Sequence, residues 1–209
     1  MSRGRFITFE GGEGAGKSTQ ARRLARALEE HGLSVTVTRE PGGSPGAEDI
    51  RSLIVSGDTD RWTPLTETLL VFAARADHLE CTIRPALKSG KWVICDRFVD
   101  STFAYQGIGQ GMSAETIGRL RDLVVGHDMP ALTLILDLPV ETGLERAGRR
   151  DHAEDRFERM GDNFHQKLRQ AFLDIASAEP ERCVVIDAAR DEDAVAEAVW
   201  QAVSSRLAV

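Results

Sequence analysis

Apolar positions along this chain alternate between two periods. Short, β-branched apolar runs predict strands at Phe6–Phe9, Ser34–Thr38, Trp92–Cys95, Leu132–Leu136 and Cys183–Ile186. Between them, apolar residues recur three and four apart, as in Ala21, Leu24, Ala25 and Leu28. This spacing predicts helices over Lys17–Glu30, Glu48–Val55, Leu65–Leu87, Ala114–Val125, Val140–Ala147, Arg156–Ser177 and Glu192–Leu207. The strands are short and mostly apolar, as expected when both sheet faces are covered. Their alternation with helices predicts an α/β fold, a parallel sheet covered on both sides. Ligands then belong at the carboxyl ends of the strands, where the strand order reverses. One stretch breaks the pattern. Gly143–Glu158 is dense in charge and has little apolar periodicity. It reads either as a solvated connection or as a mobile lid that carries arginines over phosphates. With no internal repeat or Pro/Gly/Ser-rich linker, residues 1–209 are expected to form a single domain, with a lid at about 143–158.

Between the first strand and the first helix lies Gly11-Gly12-Glu13-Gly14-Ala15-Gly16-Lys17-Ser18. It fits G-x-x-x-x-G-K-[ST] in the strand–loop–helix setting that gives the motif its meaning. The glycines let backbone N–H groups turn toward anionic oxygens. A helix start adds its own unpaired N–H groups. Lys17 is expected to reach the β- and γ-phosphates, and Ser18 to ligate Mg²⁺. The chain should therefore bind a nucleoside triphosphate.

Composition narrows the setting. The formal net charge of −7 over 209 residues argues against broad binding to nucleic acid or an anionic membrane. An anionic substrate must then be met by local arginines. Cys81, Cys95 and Cys183 form no C-x-x-C pair, which suits a reduced compartment and gives no zinc signature. No run reaches transmembrane length and no apolar leader precedes Phe6, so the expected location is cytoplasmic.

A phosphate loop alone does not fix an activity. The chain lacks the Asn-Lys-x-Asp and Asp-x-x-Gly stretches of a GTPase switch. The strand-end aspartates Asp96 and Asp137 are followed by Arg97 and Leu138, not by the acidic residue that would activate water in a motor. Transfer to a bound acceptor remains. The acceptor side is suggested by the segment Asp96–Gln106. Asp96 could hold Mg²⁺ through water, or anchor Lys17 or Ser18. Arg97 could clamp an acceptor phosphate, and Gln106 carries an amide suited to a base edge.

Four segments together carry a resemblance: Phe9–Thr19, then Thr38-Arg39-Glu40-Pro41-Gly42-Gly43, then Asp96–Gln106, and Asp155-Arg156-Phe157-Glu158. Over nearly its whole length the chain resembles the bacterial thymidylate kinase family. The resemblance implies a P-loop three-layer sandwich with a five-stranded parallel sheet and a short lid. It also implies transfer of the ATP γ-phosphate to dTMP in the presence of Mg²⁺, usually by a homodimer. It assigns ATP to Gly11, Gly12, Glu13, Gly14, Ala15, Gly16, Lys17, Ser18 and Thr19, with the adenine near Arg190, and the metal to Ser18 and Asp96. Glu13 would also reach the deoxyribose 3′-hydroxyl. Glu40 would line the acceptor phosphate site, Arg51 and Arg97 would hold that phosphate, and Arg75, Gln106 and Thr102 would surround the thymine. Family members often place a stacking phenylalanine four residues before the arginine equivalent to Arg75. Here Val71 stands there and Phe72 lies three before, so Phe72 is either the stacking ring or core. Some members carry an arginine inside the phosphate loop. This chain has Gly14 and resembles the other type, whose catalytic arginines come from the lid: Arg146, Arg149 and Arg150, acting with Lys17 and Arg97. Another nucleoside monophosphate kinase, or a module that binds ATP without transferring it, are the competing readings.

Overall fold

The computed structural model describes residues 4–148 and 156–209. In chain order these contain β1 (Phe6–Glu10), α1 (Lys17–Glu30), β2 (Val35–Arg39), α2 (Pro45–Val55), α3 (Pro64–His78), α4 (Arg84–Lys88) and β3 (Trp92–Asp96). They continue with α5 (Val99–Thr102), α6 (Ala114–Val124), β4 (Leu132–Asp137), α7 (Val140–Ala147), α8 (Asp162–Ala178), β5 (Cys183–Asp187) and α9 (Glu192–Leu207). The helix predicted over 65–87 is a rod in which a π-helical turn, Leu79–Ile83, joins α3 to α4. A second π-helical turn, Phe103–Gly109, extends α5 in a stretch with no predicted element. The helix predicted from Arg156 begins instead at Asp162, because Arg156 is drawn into an interior contact described below.

The described strands form one parallel sheet in the order β2-β3-β1-β4-β5. β1 is central, and the chain turns off it toward β2 on one side and off β3 toward β4 on the other. The reversal falls between β1 and β3, where Phe9 is paired with Asp96. A ligand crevice is expected outside that pair.

Alternate strand positions face opposite layers, as the pleat requires. Ile7, Phe9, Leu134 and Leu136 pack against Leu24 and Leu28 of α1 and Val195, Val199 and Val203 of α9. Phe6, Val93 and Cys95 turn the other way, onto Phe72, Leu79 and Ile83 and onto Ile117 of α6. Ile135 and Cys183 meet Leu168 and Phe172 of α8. The result is the helix–sheet–helix sandwich. Each fully buried leucine or isoleucine contributes about 1.5–3 kcal/mol. Local signals fix the helix starts: Thr63 precedes Pro64 and its hydroxyl accepts from the Thr66 N–H at 3.3 Å, and Asp191 accepts from the Ala194 N–H at 2.9 Å.

Candidate active site

The loop between β1 and α1 has the backbone that its glycines permit. Gly11, Gly14 and Gly16 have φ of 130°, 67° and 86°. α1 starts with no side-chain cap and no acidic residue in its first turn, so its N-terminal N–H groups are left for an anion. The Lys17 ammonium is folded back over the loop, donating to the carbonyls of Gly12 at 2.7 Å and Gly11 at 3.2 Å. Ser18 donates its hydroxyl to the Asp96 carboxylate at the end of β3, which brings the two residues expected at the metal together beside the loop. Behind the loop, Gly14 and Gly143 of α7 meet backbone to backbone. A Cβ on Gly14 would run into the Gly143 carbonyl oxygen, and one on Gly143 would lie 2.5 Å from the Glu13 carbonyl oxygen.

Beside the loop opens a cleft of about 360 Å³, a size suited to a small ligand. Glu13 belongs to the phosphate loop and also lines this cleft. Arg97 stands between the two. Its φ of 71° is left-handed, rare for a residue with a side chain. That turn sends the guanidinium back across the end of β1, where it donates to Gly11 O at 2.9 Å and Glu13 Oε1 at 3.0 Å and lies over the Tyr105 ring at 4.9 Å. Glu10 holds the turn in place. Its buried carboxylate accepts from the Phe98 N–H at 2.7 Å and the Ser101 hydroxyl at 2.6 Å.

The charges in this cluster perturb one another. Burial would raise the Glu13 carboxyl, but Arg97 and Lys17 outweigh it and hold the pKa down at about 2. Burial, with Arg97 nearby, brings the Lys17 ammonium down to about 8. Glu10 is pushed up to about 8 by burial and by the neighbouring Asp100. Such displaced groups concentrate at sites that handle charge.

The far end of the cleft is a buried polar network. Arg75, 1% exposed, donates to Glu40 Oε2 at 2.7 Å, Thr102 Oγ1 at 3.1 Å and Phe98 O at 3.1 Å. Three of its five N–H groups are spent, leaving two for a ligand. His78 Nδ1 lies 3.0 Å from the other Glu40 oxygen. Gln106 lines the cleft and donates its amide to Glu67 at 2.8 Å. Arg51 reaches in from α2 and donates to Pro41 O at 2.7 Å.

Most of the residues expected to meet the acceptor therefore converge: Glu13, Glu40, Arg51, Arg75, Arg97, Thr102 and Gln106 all line one cleft. Phe72 is a correction. It is 2% exposed and packs in the core, with the Arg75 guanidinium 4.9 Å from its ring, while Val71 lines the cleft. Neighbouring residues on a helix point about 100° apart, so only one of the two can face the ligand. Arg146 lies on α7 and donates to Ala188 O at 3.3 Å, toward the end of β5 and the exposed Arg190, away from the acceptor cleft. Arg149 and Arg150 lie outside the described residues. Sequence reasoning gave no role to Tyr105, which donates to Glu13 at 2.6 Å, or to Phe157, although both line the cleft. Both sit inside the motif segments, which was the available signal. Glu67 and Arg156 were missed as well, because their partners are far away in sequence.

A phosphate loop and a separate acceptor cleft at the carboxyl ends of β1 and β3, sharing Glu13 between them, define a P-loop kinase for a small phosphorylated acceptor. The comparisons make the class specific. Residues 9–199 match the family model for thymidylate kinase. The chain is 58% identical to the thymidylate kinase of Caulobacter vibrioides over 99% of both chains. It is 50% identical to that of Magnetococcus marinus over 99% of this chain and 98% of the relative. The crystal structure of thymidylate kinase from Ehrlichia chaffeensis superposes with a TM-score of 0.78 at 37% identity, covering 97% of this chain and 99% of that one. The chain belongs to the thymidylate kinase family.

Proposed function

We propose that this protein transfers the γ-phosphate of ATP to dTMP, giving dTDP and ADP. The observation that carries the reading is the sharing of Glu13 and Arg97 between the phosphate loop and the acceptor cleft. A donor on the loop and an acceptor in the cleft would then touch the same two side chains and lie next to each other, as in-line transfer needs.

The chain's own residues divide the work. The N–H groups of the loop and of the α1 start bind the donor phosphates. Lys17 exchanges its carbonyl partners for phosphate oxygens and follows the charge as it moves. Arg97 and Arg51 hold the acceptor phosphate, and Glu13 takes the sugar hydroxyl. Arg75, Thr102 and Gln106 face the base. The attacking oxygen is already anionic, so no strong general base is required. Rate comes from alignment and cationic stabilisation.

Mg²⁺ fits this donor set. The Ser18 hydroxyl and the Asp96 carboxylate are adjacent hard oxygen donors at the loop. Among the described residues no group of three or more His, Cys, Asp or Glu side chains is placed to hold a metal alone. That suits an ion that takes much of its shell from nucleotide phosphates and water. When bound, the ion neutralises charge on those phosphates. We further propose one kinase domain with a lid at about 143–158 carrying Arg146, Arg149 and Arg150 over the phosphates. A cytoplasmic homodimer is proposed as well, supported by the family and by apolar surface at Leu65, Leu69 and Leu123.

Coupled ADP release with dTMP, dUMP, dCMP, dGMP and AMP as acceptors tests the reading. The highest kcat/KM is expected with dTMP. ADP release no faster with dTMP than without an acceptor overturns it.

A further inference from the structure

Glu67 lies behind Gln106, which lines the cleft, and is 0% exposed. Its Oε1 accepts the side-chain amides of Gln106 at 2.8 Å and Gln110 at 2.6 Å. Its Oε2 lies 2.5 Å from Nη1 of Arg156, which is also 0% exposed. Arg156 is fixed in turn by three backbone carbonyls, Ile54 O at 3.0 Å, Asp58 O at 2.9 Å and Thr59 O at 2.9 Å. Oε1 is therefore taken up by the two amides, while Oε2 is held by the charge of Arg156 in an ion pair and makes no aligned hydrogen bond of its own.

A carboxylate beside an arginine has no hydrogen to give, so Gln106 must present its nitrogen to it. The two atoms of a carboxamide point apart, so the Gln106 oxygen is the atom left for the cleft. An oxygen there accepts from an N–H on the base edge. The N3–H of thymine or uracil supplies one, whereas N3 of cytosine is itself an acceptor. We infer that Glu67 is a specificity-determining positioning residue: by fixing which end of the Gln106 amide faces the cleft, it selects a nucleobase with an N–H at position 3. This rests on the dTMP reading and adds how the base is chosen.

Glu67→Gln preserves shape and inverts the polarity. Arg156 claims the new amide's oxygen, so its nitrogen turns to Gln106. The Gln106 amide then flips and offers nitrogen to the cleft. The ratio of kcat/KM for dTMP to that for dCMP should fall by about tenfold or more. In a Gln106→Leu background, Glu67→Gln should leave that ratio unchanged. Gln106→Leu alone should lower kcat/KM for dTMP more than for dCMP, which tests the idea even if Glu67→Gln does not fold. The inference is overturned if folded Glu67→Gln keeps the wild-type ratio, if the ratio falls equally in both backgrounds, or if Gln106→Leu weakens both acceptors alike. Wild-type protein that does not turn over dTMP would overturn the underlying reading instead, so the two failures are separable.

Discussion

Lys17 gives a pH dependence whose sign and size can be worked out. In the free protein its ammonium is buried, rests on two carbonyls and has a pKa brought down to about 8. Bound phosphates surround it with negative charge and return the pKa toward the ordinary value of about 10.5. Binding ATP therefore takes up a proton between those two values. In that window apparent affinity must fall as pH rises, by up to about tenfold per unit. The ATP dissociation constant is then expected to rise about tenfold between pH 7 and pH 9, equivalent to about 1.4 kcal/mol. Titration calorimetry across that range, with excess Mg²⁺ so that ATP ionisation stays constant, reads the change. Repeating it at pH 9 in buffers of different ionisation enthalpy should reveal the proton taken up. Lys17→Arg keeps a charge at every pH used, so its profile should be flatter even if its affinity is lower. A wild-type dissociation constant that stays level from pH 7 to pH 9 would refute the reasoning.

Glu10 makes an opposite use of burial. Its folded pKa of about 8 lies above the ordinary carboxyl value of about 4.5, so its contribution to stability is full below the lower value and is lost as pH rises through the higher. Glu10→Gln imitates the protonated group. The melting temperature of the mutant relative to wild type should climb from pH 5 to pH 9, and thermal denaturation that shows a constant difference would contradict this. Glu13, held at about 2, behaves in the reverse sense, and its contribution is lost only as pH falls below about 4.5 toward 2. For the proposed lid, Arg149→Ala or Arg150→Ala, and to a lesser degree Arg146→Ala, should lower kcat by roughly ten- to a thousandfold with little change in KM for dTMP. If steady-state kinetics leave all three at wild-type kcat, the segment is only a charged connection.

What was legible in the sequence follows from which forces are local. β1, β3 and β4 could be found because burial on both faces writes an apolar run into each, while the edge strands β2 and β5, only partly buried, showed themselves by β-branched residues. Every run stopped one residue short, since the last strand positions are Glu10, Arg39, Asp96, Asp137 and Asp187. Those residues keep the backbone ladder, while Glu10 and Asp96 turn their side chains to the site. Apolar patterning is blind to them. The phosphate loop was legible because its chemistry is contiguous. Arg156 was not. An arginine in a charged run reads as solvated, yet this one is buried against carbonyls about a hundred residues earlier. The choice between ring and core for Phe72 stayed open in the sequence for a related reason: spacing along a helix cannot say which of two adjacent apolar residues faces the ligand and which the core.

The contact between Gly14 and Gly143 has a consequence for how this enzyme type can change. Position 14 tolerates no side chain while α7 stands where it does, because the backbone is left-handed there and a Cβ would strike the Gly143 carbonyl. Grafting an arginine into the loop, to imitate members that carry one, would have to displace α7 first. α7 itself carries Arg146 and runs on toward Arg149 and Arg150, the residues proposed to supply the alternative arginines. The two designs are thus separated by a barrier that single substitutions do not cross, and a lineage or an engineer moving from one to the other must rebuild the loop and the helix behind it together.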